Sequence, residues 1–150
     1  TFFISNGTGI DAIPYIFRQP ILYVDIVPLG HMSTFSPKFM STSKKHWLRN
    51  ENRYMSFSEI FESGAAYFLD SSEYESMGID LIESSPEEIA AAVLEMESRL
   101  RGSWVTDKED EGLQRQFWNS FPQSNLHGEF RSRIGTDFLR RYNEWTTFNE

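Results

Sequence analysis

The sequence predicts an α/β fold, a parallel sheet with helices on both sides. Two observations lead there. Residues 1–27 run as apolar strand, small polar turn, short helix and second apolar strand, a compact βαβ unit of the kind that is right-handed in nearly all cases. Further on, Ser85-Pro86-Glu87-Glu88 is a strong helix start after the short strand candidate Ile79–Glu83, so strand and helix alternate again. The chain has 150 residues, 39% hydrophobic and 24% charged, which suits one globular domain rather than a disordered segment.

Thr1–Ser5 reads as a buried strand, although a run this short also fits a piece of helix. Thr8–Arg18 reads as a helix of about three turns, with Ile10, Ile13, Tyr15, Ile16 and Phe17 on a packed side. Pro14 falls early enough for its missing N–H to be tolerated. Pro20–Val27 is a second strand, β-branched and aromatic as buried parallel strands are. Pro28–Arg53 is expected to be a long irregular stretch, functional or mobile, and the most basic part of the chain through Lys38, Lys44, Lys45, Arg49 and Arg53.

Ser56–Ser63 carries the capping-box pattern, Ser56 followed by Glu59, with Gly64 as its stop. Ala65–Met77 admits an extended piece at Tyr67-Phe68-Leu69 and a helical turn at Ser72–Met77. Ile79–Glu83 is a short strand. The helix Pro86–Arg101 places Ile89, Val93, Met96 and Leu100 at three- and four-residue steps and ends at Gly102. Asp107–Phe121 is a helix stopped by Pro122. After a loop at Asn125–Gly128, Thr136–Trp145 is the last helix, capped by Thr136. The organisation expected is an α/β part over 1–105 and a C-terminal helical extension over 106–150.

Charge and composition exclude several function classes. Net charge is −8, from 22 acidic and 14 basic side chains, so nucleic acid is not expected as a partner, since that needs Lys and Arg against phosphate. With no Cys there is no disulfide framework and no thiolate zinc site. No apolar run approaches the ~20 residues that span a bilayer, and no signal peptide is recognisable. A cytoplasmic protein is the expectation. The chain starts at Thr1 and enters a strand at once, which suggests a piece of a longer polypeptide.

The row Ser5-Asn6-Gly7-Thr8-Gly9, where a strand meets a helix, carries the chemistry. Gly7 and Gly9 permit positive φ and close approach of a ligand. N–H groups at the following helix start, with the hydroxyls and amide of Ser5, Asn6 and Thr8, attract an anion. In an open α/β sheet the ligand lies beyond the carboxyl ends of the strands, so a phosphate or diphosphate belongs here. Asp11, one turn on, is placed to accept hydrogen bonds from a ribose diol. Gly-rich strand-to-helix turns also serve packing alone, and the turn by itself leaves that reading open.

The run Ile4-Ser5-Asn6-Gly7-Thr8-Gly9-Ile10-Asp11, with Ala12-Ile13-Pro14-Tyr15-Ile16-Phe17 and then Arg18-Gln19-Pro20-Ile21-Leu22-Tyr23-Val24, resembles the donor-binding half of GT-B glycosyltransferases. Arg18 stands where that family often has Gly. The fragments PILYVDIVPL, RYMSFSEIFESG, GIDLIESSPEEIAAAVLEM and LQRQFW are similar to the C-terminal part of a group of bacterial glycosyltransferases. The resemblance implies a partial Rossmann-like parallel sheet, the C-terminal half of a GT-B fold, followed by C-terminal helices. It implies that Asn6–Gly9 hold the diphosphate of a nucleotide-sugar and Asp11 its ribose. It also implies a missing N-terminal domain that carries the catalytic base, so this chain alone is expected not to turn over.

Other candidates are fewer. GT-A enzymes hold a divalent metal through Asp-x-Asp, and none occurs here. The expectation is therefore no metal and no cofactor, with the nucleotide-sugar as substrate and the leaving diphosphate stabilised by dipole and basic groups. Lys38, Lys44 and Lys45 are candidates for those groups, against the alternative of a solvated loop. Of the three His, only His31 lies near the strand ends, where it would donate to phosphate or act as base. Trp47, Trp104, Trp118 and Trp145 read as packing anchors. The function expected is sugar transfer from a nucleotide diphosphate to a hydroxyl acceptor in surface glycan synthesis, at the inner face of the membrane. Alternatives are a sugar-nucleotide 2-epimerase and a non-catalytic interaction domain. Open sheet edges make a homo-oligomer a further expectation.

Overall fold

The computed structural model describes residues 1–123 and 127–147. In chain order its elements are β1 (Phe3–Ser5), α1 (Ala12–Ile16), β2 (Ile21–Ile26), β3 (Phe39–Ser43), β4 (Lys45–Leu48), β5 (Arg53–Tyr54), α2 (Phe57–Glu62), α3 (Ser71–Ser76), β6 (Ile79–Ile82), α4 (Pro86–Leu100), α5 (Lys108–Ser120), β7 (Arg133–Ile134) and α6 (Thr136–Thr147), with 3-10 turns at Leu29–His31 and Ala65–Tyr67. The fold is α/β. Four strands form a parallel sheet in the order β1-β2-β3-β7, and a three-stranded antiparallel sheet runs β5-β4-β6. The Rossmann-like sheet flanked by helices is thus present, with helices α5 and α6 toward the C-terminus.

Strand β2 shows how the sequence builds both layers. Its alternation sends Ile21 and Tyr23 to one face and Leu22 and Val24 to the other. The first pair joins Phe39, Phe117, Ile134, Phe138 and Tyr142 in the larger core. The second pair meets Met40 and, on α4, Ala92 and Met96. Asp25 interrupts the alternation with φ 56°, and the pairing register with β3 shifts between Tyr23 and Ile26. Ile26 thereby returns to the larger core.

The stretch Pro28–Arg53 is not irregular: it holds β3, β4 and the start of β5. Every residue of β3, Phe-Met-Ser-Thr-Ser, is buried. Its hydroxyl-bearing half hides a central strand from any reading based on apolar periodicity, because pairing with β2 and β7 satisfies the backbone while small side chains fill the layer. One residue, Lys44, separates β3 from β4, so the chain leaves one sheet and enters the other directly.

The capped helices form as their sequences predict. Ser56–Glu59 and Ser85–Glu88 both close reciprocal capping boxes, and Gly64 and Gly102 take the left-handed conformations that end α2 and α4. Helix α6 starts differently from expectation. Thr136 is not its cap but its first residue, and the Thr136 hydroxyl and N–H both donate to buried Glu95 of α4, at 2.8 and 2.7 Å. The C-terminal stretch is also more than helices, since β7 extends the parallel sheet beside β3. The Gln114 side chain flanks β7, its amide donating to Ile134 O at 2.5 Å and its carbonyl accepting from Ile134 N at 3.1 Å. Of the loop expected at Asn125–Gly128, Asn125 and Leu126 lie outside the described residues.

Helix α1 departs most from expectation. It spans only Ala12–Ile16, and of its residues only Pro14 is buried. The apolar residues expected to pack are in the open: Ile10 is 71% exposed, Ile16 73% and Phe17 70%. Positive φ at Gly7, Gly9 and Arg18 breaks the chain on either side of it, and a helix this short has no independent stability.

Candidate functional site

Parallel strands share one carboxyl edge, and the loops that leave the strands at that edge form the candidate site. After β1 comes the turn Asn6–Gly9, exposed throughout. Gly7 and Gly9 have φ of 80° and 91°, as close backbone approach requires. The turn is partly self-satisfied: Gly7 N–H donates to the Ser5 hydroxyl at 3.1 Å, and Gly9 N–H donates to Asp11 Oδ1 at 2.9 Å. Ser5 itself is buried. With α1 reduced to Ala12–Ile16, the helix dipole behind the turn is slight. The turn therefore differs from one backed by a long helix, and its Gly7 and Gly9 N–H groups are turned to Ser5 and Asp11.

Strand β2 adds a residue that the sequence reading passed over. Tyr23 is paired in register with Ser5 and is 3% exposed. Its hydroxyl has no hydrogen-bond partner among the described residues. Burial pushes its pKa up to about 12, with the side chains of Ser33 and Asp11 as polar neighbours. Ser33 lies beyond the 3-10 turn Leu29–His31 and lines a hollow of about 580 Å³ with Tyr15, His31, Thr34, Phe35 and His127. That volume falls within the roughly 300–1,000 Å³ of ligand pockets. Ser33 and Asp11 are both neighbours of Tyr23, and Ser33 also lines the hollow.

His31 is exposed on the rim, where the sequence placed it. His127 was not expected there. It is buried, its Nε2 donates to Gly30 O at 2.8 Å, and its Nδ1 lies 3.3 Å from the Thr34 hydroxyl. It clamps both sides of the loop that carries His31 and Ser33. No local signal marks it, because its partners are distant in sequence.

Asp25 ends this edge on β2. Its carboxylate accepts from the N–H of Ser84, at 3.0 Å, and from the Ser84 hydroxyl, at 2.7 Å, tying β2 to the capped start of α4. A non-glycine residue at positive φ is held only where neighbours over-determine it, and these two bonds with Asp25 N to Thr42 Oγ1 do so.

The basic stretch is not gathered at this site. Lys44 pairs with Glu83 at 2.9 Å, and Lys45 is buried against Glu88 at 2.8 Å. Arg49 pairs with Glu75 and Asp80, and Arg53 with Glu51 and Glu59. Burial raises the Glu88 carboxyl pKa, but the hydrogen bonds from Lys45 and Ser85 outweigh it and hold Glu88 below its ordinary value. Lys38 is exposed and donates to Arg18 O at 3.2 Å. It precedes β3 as Arg18 precedes β2, so it sits at the amino edge of the sheet, opposite the turn. The structure brings together Ser5, Asn6, Gly7, Thr8, Gly9 and Asp11, sets His31 on the neighbouring rim, and leaves Lys38 apart.

Among the described residues no group of three or more His, Asp and Glu is arranged to hold a metal ion, and no helix is long and apolar enough to cross a membrane. A separate hollow between α2, α5 and α6, lined by Ser56, Phe57, Phe117, Tyr142 and Asn143, measures about 80 Å³, room for only a few waters. Comparisons with protein-family models, with curated proteins and with solved structures find no match to this chain.

Proposed function

We propose that this chain is the nucleotide-sugar-binding part of a glycosyltransferase that moves a sugar from a nucleotide diphosphate to a hydroxyl acceptor in surface glycan synthesis. The observation that carries the reading is the convergence at one carboxyl edge of the small-residue turn, Asp11 and the hollow beneath His31. The GT-B resemblance of the same residues supplies the reaction. In this reading Asn6–Gly9 receive the diphosphate, Asp11 the ribose, and His31 reaches the phosphates from the rim. The base and the acceptor site belong to a further domain, and the enzyme works at the inner face of the membrane.

A thermal-shift titration with UDP, GDP, CDP and their sugar conjugates tests it. A ligand that binds only the folded state stabilises it by mass action, by about 2.7 kcal/mol at a hundredfold excess over Kd, and so raises the unfolding midpoint. One nucleotide is expected to stabilise the protein, with the effect lost in Gly9→Val and Asp11→Ala. No stabilisation by any nucleotide would overturn the reading. It would favour a second one, an interaction domain, which the exposed apolar residues of β1 and α1 support.

A further inference from the structure

At the amino edge of the parallel sheet, opposite the turn, lies a hollow of about 280 Å³ whose lining includes Tyr15, Arg18, Phe35, Ser36, Lys38 and Phe39. It is separate from the hollow beside His31, although Tyr15 and Phe35 wall both. Its body is aromatic. Tyr15 and Phe35 meet edge to face with centroids 5.3 Å apart, and they approach Phe39 at 6.1 and 5.3 Å. Phe39 is buried, whereas Tyr15 and Phe35 are each 46% exposed, so the cluster offers ring surface to solvent.

The rim of the hollow is cationic. Elsewhere this acidic chain spends its basic groups on carboxylates: Lys44, Lys45, Arg49, Arg53, Arg140 and Arg141 are all ion-paired. Arg18 and Lys38 are exposed, neither pairs with a carboxylate among the described residues, and no carboxylate among them lines the hollow. Lys38 is held at the rim, its ammonium donating to Arg18 O at 3.2 Å and its N–H to the Ser36 hydroxyl at 3.2 Å. The remaining ammonium protons, the guanidinium fork and the Ser36 proton are left to a ligand.

That combination selects an occupant. A neutral apolar compound would leave both cations unused. An inorganic anion would meet the cations but not the rings, and exposed ion pairs are weak alone. A carboxylate joined to an aromatic ring uses both: the ring packs against Tyr15 and Phe35, and the carboxylate accepts from the planar Arg18 fork and from Lys38. A second copy of the chain fits less well, because a two-fold contact centred here would set these cations against their own copies. The volume falls just below that of drug-sized sites, which suits a body of about one or two rings.

We propose that this hollow is a binding site for a small aromatic carboxylate, with Arg18 and Lys38 holding the carboxylate and Tyr15 and Phe35 the ring. The site does not depend on the nucleotide reading of the turn. The test is calorimetric titration with phenylpropionate, against phenylpropanol, which lacks the charge, and propionate, which lacks the ring. The acid is expected to bind about tenfold more tightly than either control and to move the ring resonances of Tyr15 and Phe35. Arg18→Gln with Lys38→Gln should reduce the acid to the affinity of the alcohol without lowering the unfolding midpoint, since no ion pair is lost. Phe35→Ala should weaken both ring compounds. Equal affinity for acid and alcohol in wild type, shifts that spare Tyr15 and Phe35, or no binding at millimolar concentration would each overturn the proposal. Failure to bind the acid, together with a dimer that Phe35→Ala dissociates, would assign the hollow to a second copy instead.

Discussion

His46 is fully buried in β4 and stays neutral. Burial drives its pKa down to about 4, against a smaller opposite effect of its bond to Lys44 O. That bond, 3.2 Å from Nδ1, places the proton on Nδ1, and Nε2 has no partner among the described residues. The unfolded chain binds a proton here near pH 6.5, whereas the folded protein resists until about pH 4. Stability is therefore expected to fall as pH drops through that window, by up to about 3 kcal/mol. His46→Asn, which keeps a donor for Lys44 O, should flatten the slope of unfolding midpoint against pH while lowering stability overall. Glu59 adds a lower window. The Arg53 guanidinium holds its carboxyl near 2, so this contribution is present above the ordinary carboxylate range and is lost as pH falls toward 2. These residues also show where sequence reading stops. Tyr23 falls in a strand that the sequence reads as buried, but what surrounds its hydroxyl does not follow from that; His46 falls in a stretch read as irregular, and neighbours from other elements bury it. Their environments are tertiary and leave no local trace.

Elements with local signals were legible. Serine caps, glutamates three residues later and terminal glycines marked α2 and α4 because those interactions close within one turn. β3 was not legible, since its partners β2 and β7 come from distant parts of the chain. The candidate turn was readable as a turn, but α1 behind it was overread: only Pro14 is buried and Tyr15 packs on Phe35 and Phe39, while Ile13 and Ile16 stay exposed. The join between α4 and α6 rests on one carboxylate. Glu95, 2% exposed, accepts from Thr136 N, Thr136 Oγ1 and Arg99. Removing it strands two buried donors and part of a guanidinium, so Glu95→Ala is expected to cost about 3 kcal/mol in urea unfolding. Amide exchange should rise first in the opening turn of α6. Ser85→Ala, by contrast, removes a single cap and should cost about 1 kcal/mol.

The whole molecule is asymmetric in how it is covered. The two faces of β2 are closed by the larger core and by α4, whereas Phe3, Ile4, Ile10, Ile13, Ile16 and Phe17 leave β1 and α1 apolar and open. Parallel sheets are ordinarily covered on both faces, so this side of the protein is unlike the rest. Because these side chains are already in water, Ile16→Glu with Phe17→Glu is expected to leave stability within about 0.5 kcal/mol. Solubility should rise, and self-association, measured by sedimentation, should fall.

The amide of Gln114 takes the place that a neighbouring peptide group would occupy beside Ile134. On that margin the N–H and C=O of Ile134 are both already bonded to one side chain. At the other margin, Phe3 N–H turns inward to Pro20 O, and alternation turns Ile4 outward. The parallel sheet is thus closed at one end and extensible at the other: a strand that joins it, from this polypeptide or another, does so beside β1, next to the turn Asn6–Gly9.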